Sequence, residues 1–314
     1  MRWMSSFLIV VSASSLLAQE PSTDWPCWRG PKADGIADGR KLPIHWSKTE
    51  NVRWSVTLPG WGTSSPVVYG EKIFVTTHLK DKKALLTLCF DRATGKELWK
   101  VSDDGPSYST PVAADIGGKR RFVFFTRQGL LVLDPKTGEI VHQMRYRARI
   151  DASVNAATPL VADGKIFLSA CYGVGALLID TEGWKPIWKN DESMSSHYTT
   201  SVKVGENLYG SHGRQEEGAS LRCVAWKTGE VKWTKEGFGC AWLIAADGML
   251  IAAQESGEIA LLEASPEGYR EKGRFTAFAK STDRGKLLRS APALADGVLY
   301  VRDAQKLAAW RVGK

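Results

Sequence analysis

Short runs of alternating apolar and polar residues, each closed by a glycine-bearing turn, recur along most of the chain. SSPVVYGEKIFVTTH, from Ser64, sets the pattern: a brief apolar run, a turn, then a longer alternating run. A period of two places successive side chains on opposite faces, so each run predicts a β-strand. Equivalent segments begin at Ser109, Ala157, Thr199, Ala241 and Ser290, at intervals of 42 to 49 residues. Their turns include Asp163-Gly164, Asp247-Gly248 and Asp296-Gly297, the residues that tight hairpins favour.

The second half of each unit repeats as well. LCFDRATGKELW (Leu88–Trp99), LVLDPKTGEIVH (Leu131–His142), LLIDTEGWKPIW (Leu177–Trp188) and RCVAWKTGEVKW (Arg222–Trp233) each predict a strand, a turn and a last strand ending in an aromatic residue. Four short strands per unit of this length predict an all-β, six-bladed β-propeller of four-stranded blades. The fifth unit lacks the terminal tryptophan, and Phe275 is expected to stand in. The sixth unit ends after three strands. NVRWSVTL (Asn51–Leu58), with Trp54 where other fourth strands carry tryptophan, is expected to complete that blade and close the ring. Tryptophan at a repeated strand position predicts a wedge between neighbouring blades.

The N-terminus adds a processing signal. Arg2, an apolar stretch from Phe7 to Leu17 and the small residues before Gln19 predict a signal peptide over residues 1–18. A leader (19–50) and the propeller (51–314) follow. The apolar stretch is too short for a membrane span, which needs about 20 residues. The mature protein is therefore expected to be periplasmic or secreted, and monomeric. The net charge of +8 is spread along the chain rather than gathered in a stripe, which argues against nucleic-acid binding. Five cysteines at wide spacing, without a CxxC pair, make neither a disulfide framework nor a zinc signature. Cys89 and Cys223 share one strand position, where the second unit has Val132, so they are expected in the core.

Loops between second and third strands share one face of a propeller with the blade-to-blade connections, and rigid strands hold such loops in place. These loops carry Arg127, His212, Arg214, Gln215 and Glu216; the connections carry Trp61, Tyr108, His197 and Tyr198. The stretch GSHGRQEEGASL (Gly210–Leu221) is the most charged of them. Three readings fit it. Arg214 pairs with Glu216 or Glu217 in a solvated turn; or the loop binds an anionic or polyhydroxylated ligand or a partner's loop; or His212 acts as a base oriented by a glutamate. No nucleophile motif or metal-ligand spacing supports catalysis, and no metal is expected.

The D-x-x-T-G-x-x-x-W pattern following PVV-x-x-x-x-I-F-V resembles the repeat of the pyrroloquinoline quinone (PQQ)-like β-propeller family over about Asn51–Lys314, and DWPCWRGPKADGI (Asp24–Ile36) resembles the opening of exported bacterial members. That family holds quinoprotein dehydrogenases and non-catalytic scaffolds such as BamB. The resemblance implies a binding or scaffold module for an envelope protein or polar small ligand. The alternative it implies is a quinoprotein oxidoreductase with PQQ and calcium. The eight blades and adjacent cysteines of those dehydrogenases have no counterpart in this sequence, so no cofactor is expected.

Overall fold

The computed structural model describes residues 24, 49, 51–60, 66–79, 84–102, 104–105, 107–278, 288–295, 297–303 and 307–312. Trp61, Cys27 and the expected signal peptide lie outside them. The described chain is all-β apart from one 3-10 turn, Gln215–Glu217. Six antiparallel sheets follow one another along the sequence, spanning 67–101, 112–145, 160–190, 202–235, 241–276 and 293–311. The first five have four strands in simple up-and-down order and the last has three. Hairpin connections explain the order, since adjacent strands joined by two-residue turns must pair antiparallel.

Among the described residues no hydrogen-bonded ladder joins one sheet to another. Consecutive sheets instead press their faces together. One apolar cluster joins Val123, Phe125 and Val132 of the second sheet to Ile166, Leu168 and Leu177 of the third. Similar clusters join the third to the fourth, the fourth to the fifth and the fifth to the sixth. The strand alternation read from the sequence supplies both faces, so the third, fourth and fifth sheets are buried on two sides near their centres, whereas the last alternates buried Leu299 and Val301 with exposed Tyr300.

The repeated tryptophans act between sheets, as expected. Trp99 of the first sheet lies over Gly138 in the turn of the second, and Trp188 of the third lies over Gly229 in the turn of the fourth. Trp188 also donates from Nε1 to the Trp226 carbonyl at 2.8 Å. The ring needs a bare backbone beneath it, and the turn needs a positive φ, which is 73° at Gly229; glycine meets both demands. The third sheet inverts the pair. Trp184 occupies the glycine position with φ 54°, and His142 of the second sheet stacks on it at 4.4 Å and 8°. Phe275 packs on Trp310 of the last sheet, with ring centres 5.2 Å apart.

The fourth strand expected to complete the last sheet is not formed. Asn51–Leu58 makes no ladder among the described residues, and the last sheet stops at three strands. Val52, Val56 and Leu58 are exposed, so alternation alone did not supply a pairing surface. Trp54 nevertheless sits over Gly95 of the first sheet and donates to the Arg92 carbonyl at 3.1 Å, the position a fourth-strand tryptophan of a preceding sheet takes elsewhere. Asp24 pairs with Arg92 of the same turn at 3.5 Å and accepts from the Gly70 amide of the first hairpin at 3.0 Å.

Candidate functional site

The hairpin after His212 and the connection entering the fourth sheet converge with the hairpin tip of the third. Tyr172 stands at that tip with φ 67°, a left-handed conformation rare outside glycine and a strain that must be held by its surroundings. Its hydroxyl meets Nε2 of His197 at 2.8 Å. Nδ1 of His197 meets Oε1 of Gln215 at 2.6 Å, and Nε2 of Gln215 donates to Glu216 at 2.9 Å. The Arg214 guanidinium lies 4.7 Å from the centre of the Tyr172 ring and pairs with Glu216 at 3.4 Å and Glu217 at 3.6 Å. Arg214 is thus paired within its own loop, as the first of the sequence readings has it, and the loop is also locked to two neighbouring elements.

Tyr172, Arg214 and Glu217 of this network border a cleft of about 360 Å³ between the third and fourth sheets, whose lining also includes Ile150, Asp191, Ser195 and His212. Asp191 accepts from the Ser195 hydroxyl at 2.7 Å, and the Ser195 amide donates to Nδ1 of His212 at 3.0 Å. Nδ1 is therefore an acceptor, and the imidazole is neutral with its proton on Nε2. Burial, then Arg222, pushes the His212 pKa down, while Asp191 and Glu236 oppose the shift. His212 is thus a fixed acceptor for the backbone. Ser195 directs its hydroxyl to Asp191, so the serine, histidine and carboxylate do not line up as a relay in which a base activates a nucleophile.

The sign of the His212 shift predicts a pH effect. A histidine whose folded pKa lies below the unfolded value of about 6.5 favours the folded state when neutral, so its contribution is complete above that value and is lost as pH falls below it. His142, also shifted down by burial, adds in the same direction. The melting temperature is expected to fall from pH 7 to pH 5. In His212→Asn, whose amide oxygen can still accept the Ser195 amide, the fall should be shallower; an unchanged slope would contradict the assignment.

Of the remaining predicted residues, Tyr198 stays with the site: half-buried, its ring lies 5.4 Å from that of His197 and 5.5 Å from that of Trp242, and its hydroxyl points toward Glu255 and Cys240. Arg127 belongs to the neighbouring second sheet and bonds Ser153 at 3.0 Å. Tyr108 is 79% exposed and touches none of these groups. Asp191 and Ser195 carry no signal of their own as site residues, whereas Tyr172 opens the second-to-third loop of the third unit on the same face. Only the placement of sheets brings them to His212, although a tyrosine between Cys171 and Gly173 at a hairpin tip is a usable signal.

A quinone with calcium does not fit these residues. Among the described residues no group of three or more histidine, cysteine, aspartate or glutamate side chains could hold a metal. The described cysteines, Cys89, Cys171, Cys223 and Cys240, are buried and free, with burial pushing the Cys171 thiol up to about 12. Two carboxylates, Asp191 and Glu217, line the cleft, where a tricarboxylate would meet like charge.

The family pattern described as Outer membrane protein assembly factor BamB matches residues 36–235. Among solved structures, BamB from Moraxella catarrhalis superposes with a TM-score of 0.59 at 16% identity, over 82% of this chain and 71% of that one. A europium-containing methanol dehydrogenase gives 0.52 at 11% identity, over 76% of this chain and 60% of that one. The quinohemoprotein alcohol dehydrogenase from Comamonas testosteroni gives 0.51 at 14% identity, over 76% and 50%. No curated protein matches the sequence. At such identities the likeness concerns the fold, a PQQ-like propeller. No helix among the described residues is long and apolar enough to cross a membrane.

Proposed function

We propose, from the premise that this chain belongs to the PQQ-like propeller family of the outer membrane protein assembly factor BamB, that it is an exported, six-bladed, non-catalytic binding module that receives a polar loop of an envelope protein at the cleft between its third and fourth sheets. The observation that carries this reading is the chain of bonds from Tyr172 through His197 and Gln215 to Glu216, which fixes the rim of a cleft of about 360 Å³. A rim ordered before binding loses little entropy on association. The lining mixes carboxylates, a paired guanidinium, an imidazole and an aromatic ring, so it matches alternating donors and acceptors better than a single strong charge. That favours a protein loop over the anionic ligand considered from sequence. Asn51–Leu58 belongs to the last blade in this reading, held by Trp54. Cross-linking from the rim, compared with the opposite face, tests the assignment: an adduct from the rim alone is expected.

A further inference from the structure

We propose that Arg127, Arg145 and Arg147, beside the cleft, form a second contact surface that takes a carboxylate-rich segment of a protein partner. The inference rests on the reading that this face receives a protein, and adds the chemistry of a separate contact. Arg127 leaves the hairpin of the second sheet, Arg145 ends that sheet's last strand, and Arg147 follows two residues on. The connection then runs on through exposed Arg149 to Ile150, which lines the cleft.

The three guanidiniums crowd around neutral acceptors. Arg145 and Arg147 both donate to Oε1 of Gln128, at 3.0 and 3.5 Å. Arg127 donates to the Ser153 hydroxyl at 3.0 Å and to the Asp151 carbonyl, and Arg147 donates to the Ala148 carbonyl at 3.2 Å. Among the described residues one carboxylate pairs with the group: Asp151, 3.4 Å from Arg147 and fully solvent-exposed, while the Arg147 side chain is only 11% exposed. Exposed pairs are screened and contribute little, so the cationic charge stays largely uncompensated. Burial and the charge of Arg147 lower the Arg127 pKa, consistent with this crowding. An incoming carboxylate could accept two parallel bonds from a guanidinium and relieve the repulsion.

The adjoining cavity selects among polyanions. It measures about 450 Å³ and includes Asp104, Gln128, Gln143, Met144 and Arg145 in its lining. Amides and a thioether suit a peptide main chain and its side chains. Asp104 is buried and held by the Thr126 hydroxyl, from which it accepts at 2.6 Å. With its amides and thioether, the lining therefore fits an acidic peptide better than a nucleic acid.

The test is fluorescence anisotropy of a labelled hexaglutamate peptide on the mature protein at low salt, with hexaglutamine and an oligothymidylate of equal charge as controls. Saturable binding of hexaglutamate is expected, weakened about tenfold in Arg145→Glu and in the same direction in Arg149→Glu, because reversing a contact charge removes an attraction and adds a repulsion. Both side chains are exposed, so the fold should persist. Arg214→Ala/Gln215→Ala, which alters only the cleft rim, should bind the peptide like the wild type. Absent hexaglutamate binding, unchanged affinity in Arg145→Glu, or equal or tighter binding of oligothymidylate overturns the acidic-segment surface. None of these results touches the cleft, which the cross-linking experiment judges separately.

Discussion

Trp188→Ala lowers the unfolding free energy by about 3–5 kcal/mol, the range for removing a large buried aromatic from a packed core. The side chain is 9% exposed, lies with its ring centre 5.9 Å from that of Phe167, and satisfies its indole nitrogen on Trp226. It joins two sheets that share no backbone ladder, so its loss weakens a junction held only by side chains. Gly229→Ala attacks the same junction from below. The added Cβ would stand 2.7 Å from the Trp188 ring, in a turn whose φ of 73° alanine adopts only with strain. Urea unfolding of both variants measures the effect through the midpoint at constant slope. A loss of less than about 1 kcal/mol in Trp188→Ala, an ordinary surface-scale effect, would contradict the junction.

Trp54→Ala has the second largest expected effect, a loss of about 2 kcal/mol, less than for Trp188 because Trp54 is only half-buried. The indole bridges to the Arg92 carbonyl and covers Gly95 of the first sheet. If Asn51–Leu58 serves as the outer strand of the last blade, its release should also loosen the last sheet. Amide exchange is then expected to quicken over residues 293–311 as well as in the first-sheet turn around Asp91–Gly95. Exchange confined to the first sheet would place the segment there alone and remove its closing role.

The fold was legible because a propeller repeats its reasons. Each sheet needs the same alternation, the same turn and the same inter-sheet wedge, so one unit checks another. The swapped pair of His142 and Trp184 shows where that reading thins: the aromatic moves to the turn while the contact survives. The missing ladder at Asn51–Leu58 shows a second limit. Alternation states which side chains can be buried, yet pairing also needs a partner edge in register. At the site, the loop of Arg214, Glu216 and Glu217 was readable because its ion pairs are local in sequence. Tyr172 and Asp191 come from another sheet, and their approach to His212 follows only from the way sheets stack.

On the proposed reading, the cleft face receives a protein. The most direct test places a photo-activated cross-linking residue at Glu217, on the rim with its side chain 68% exposed, and another at Glu206, 65% exposed on the hairpin at the opposite end of the same sheet. Both variants would be irradiated in the native envelope. A discrete adduct is expected from position 217, lost in the Arg214→Ala/Gln215→Ala background, and none from position 206. Adducts of equal yield from both positions, or from 206 alone, would contradict it.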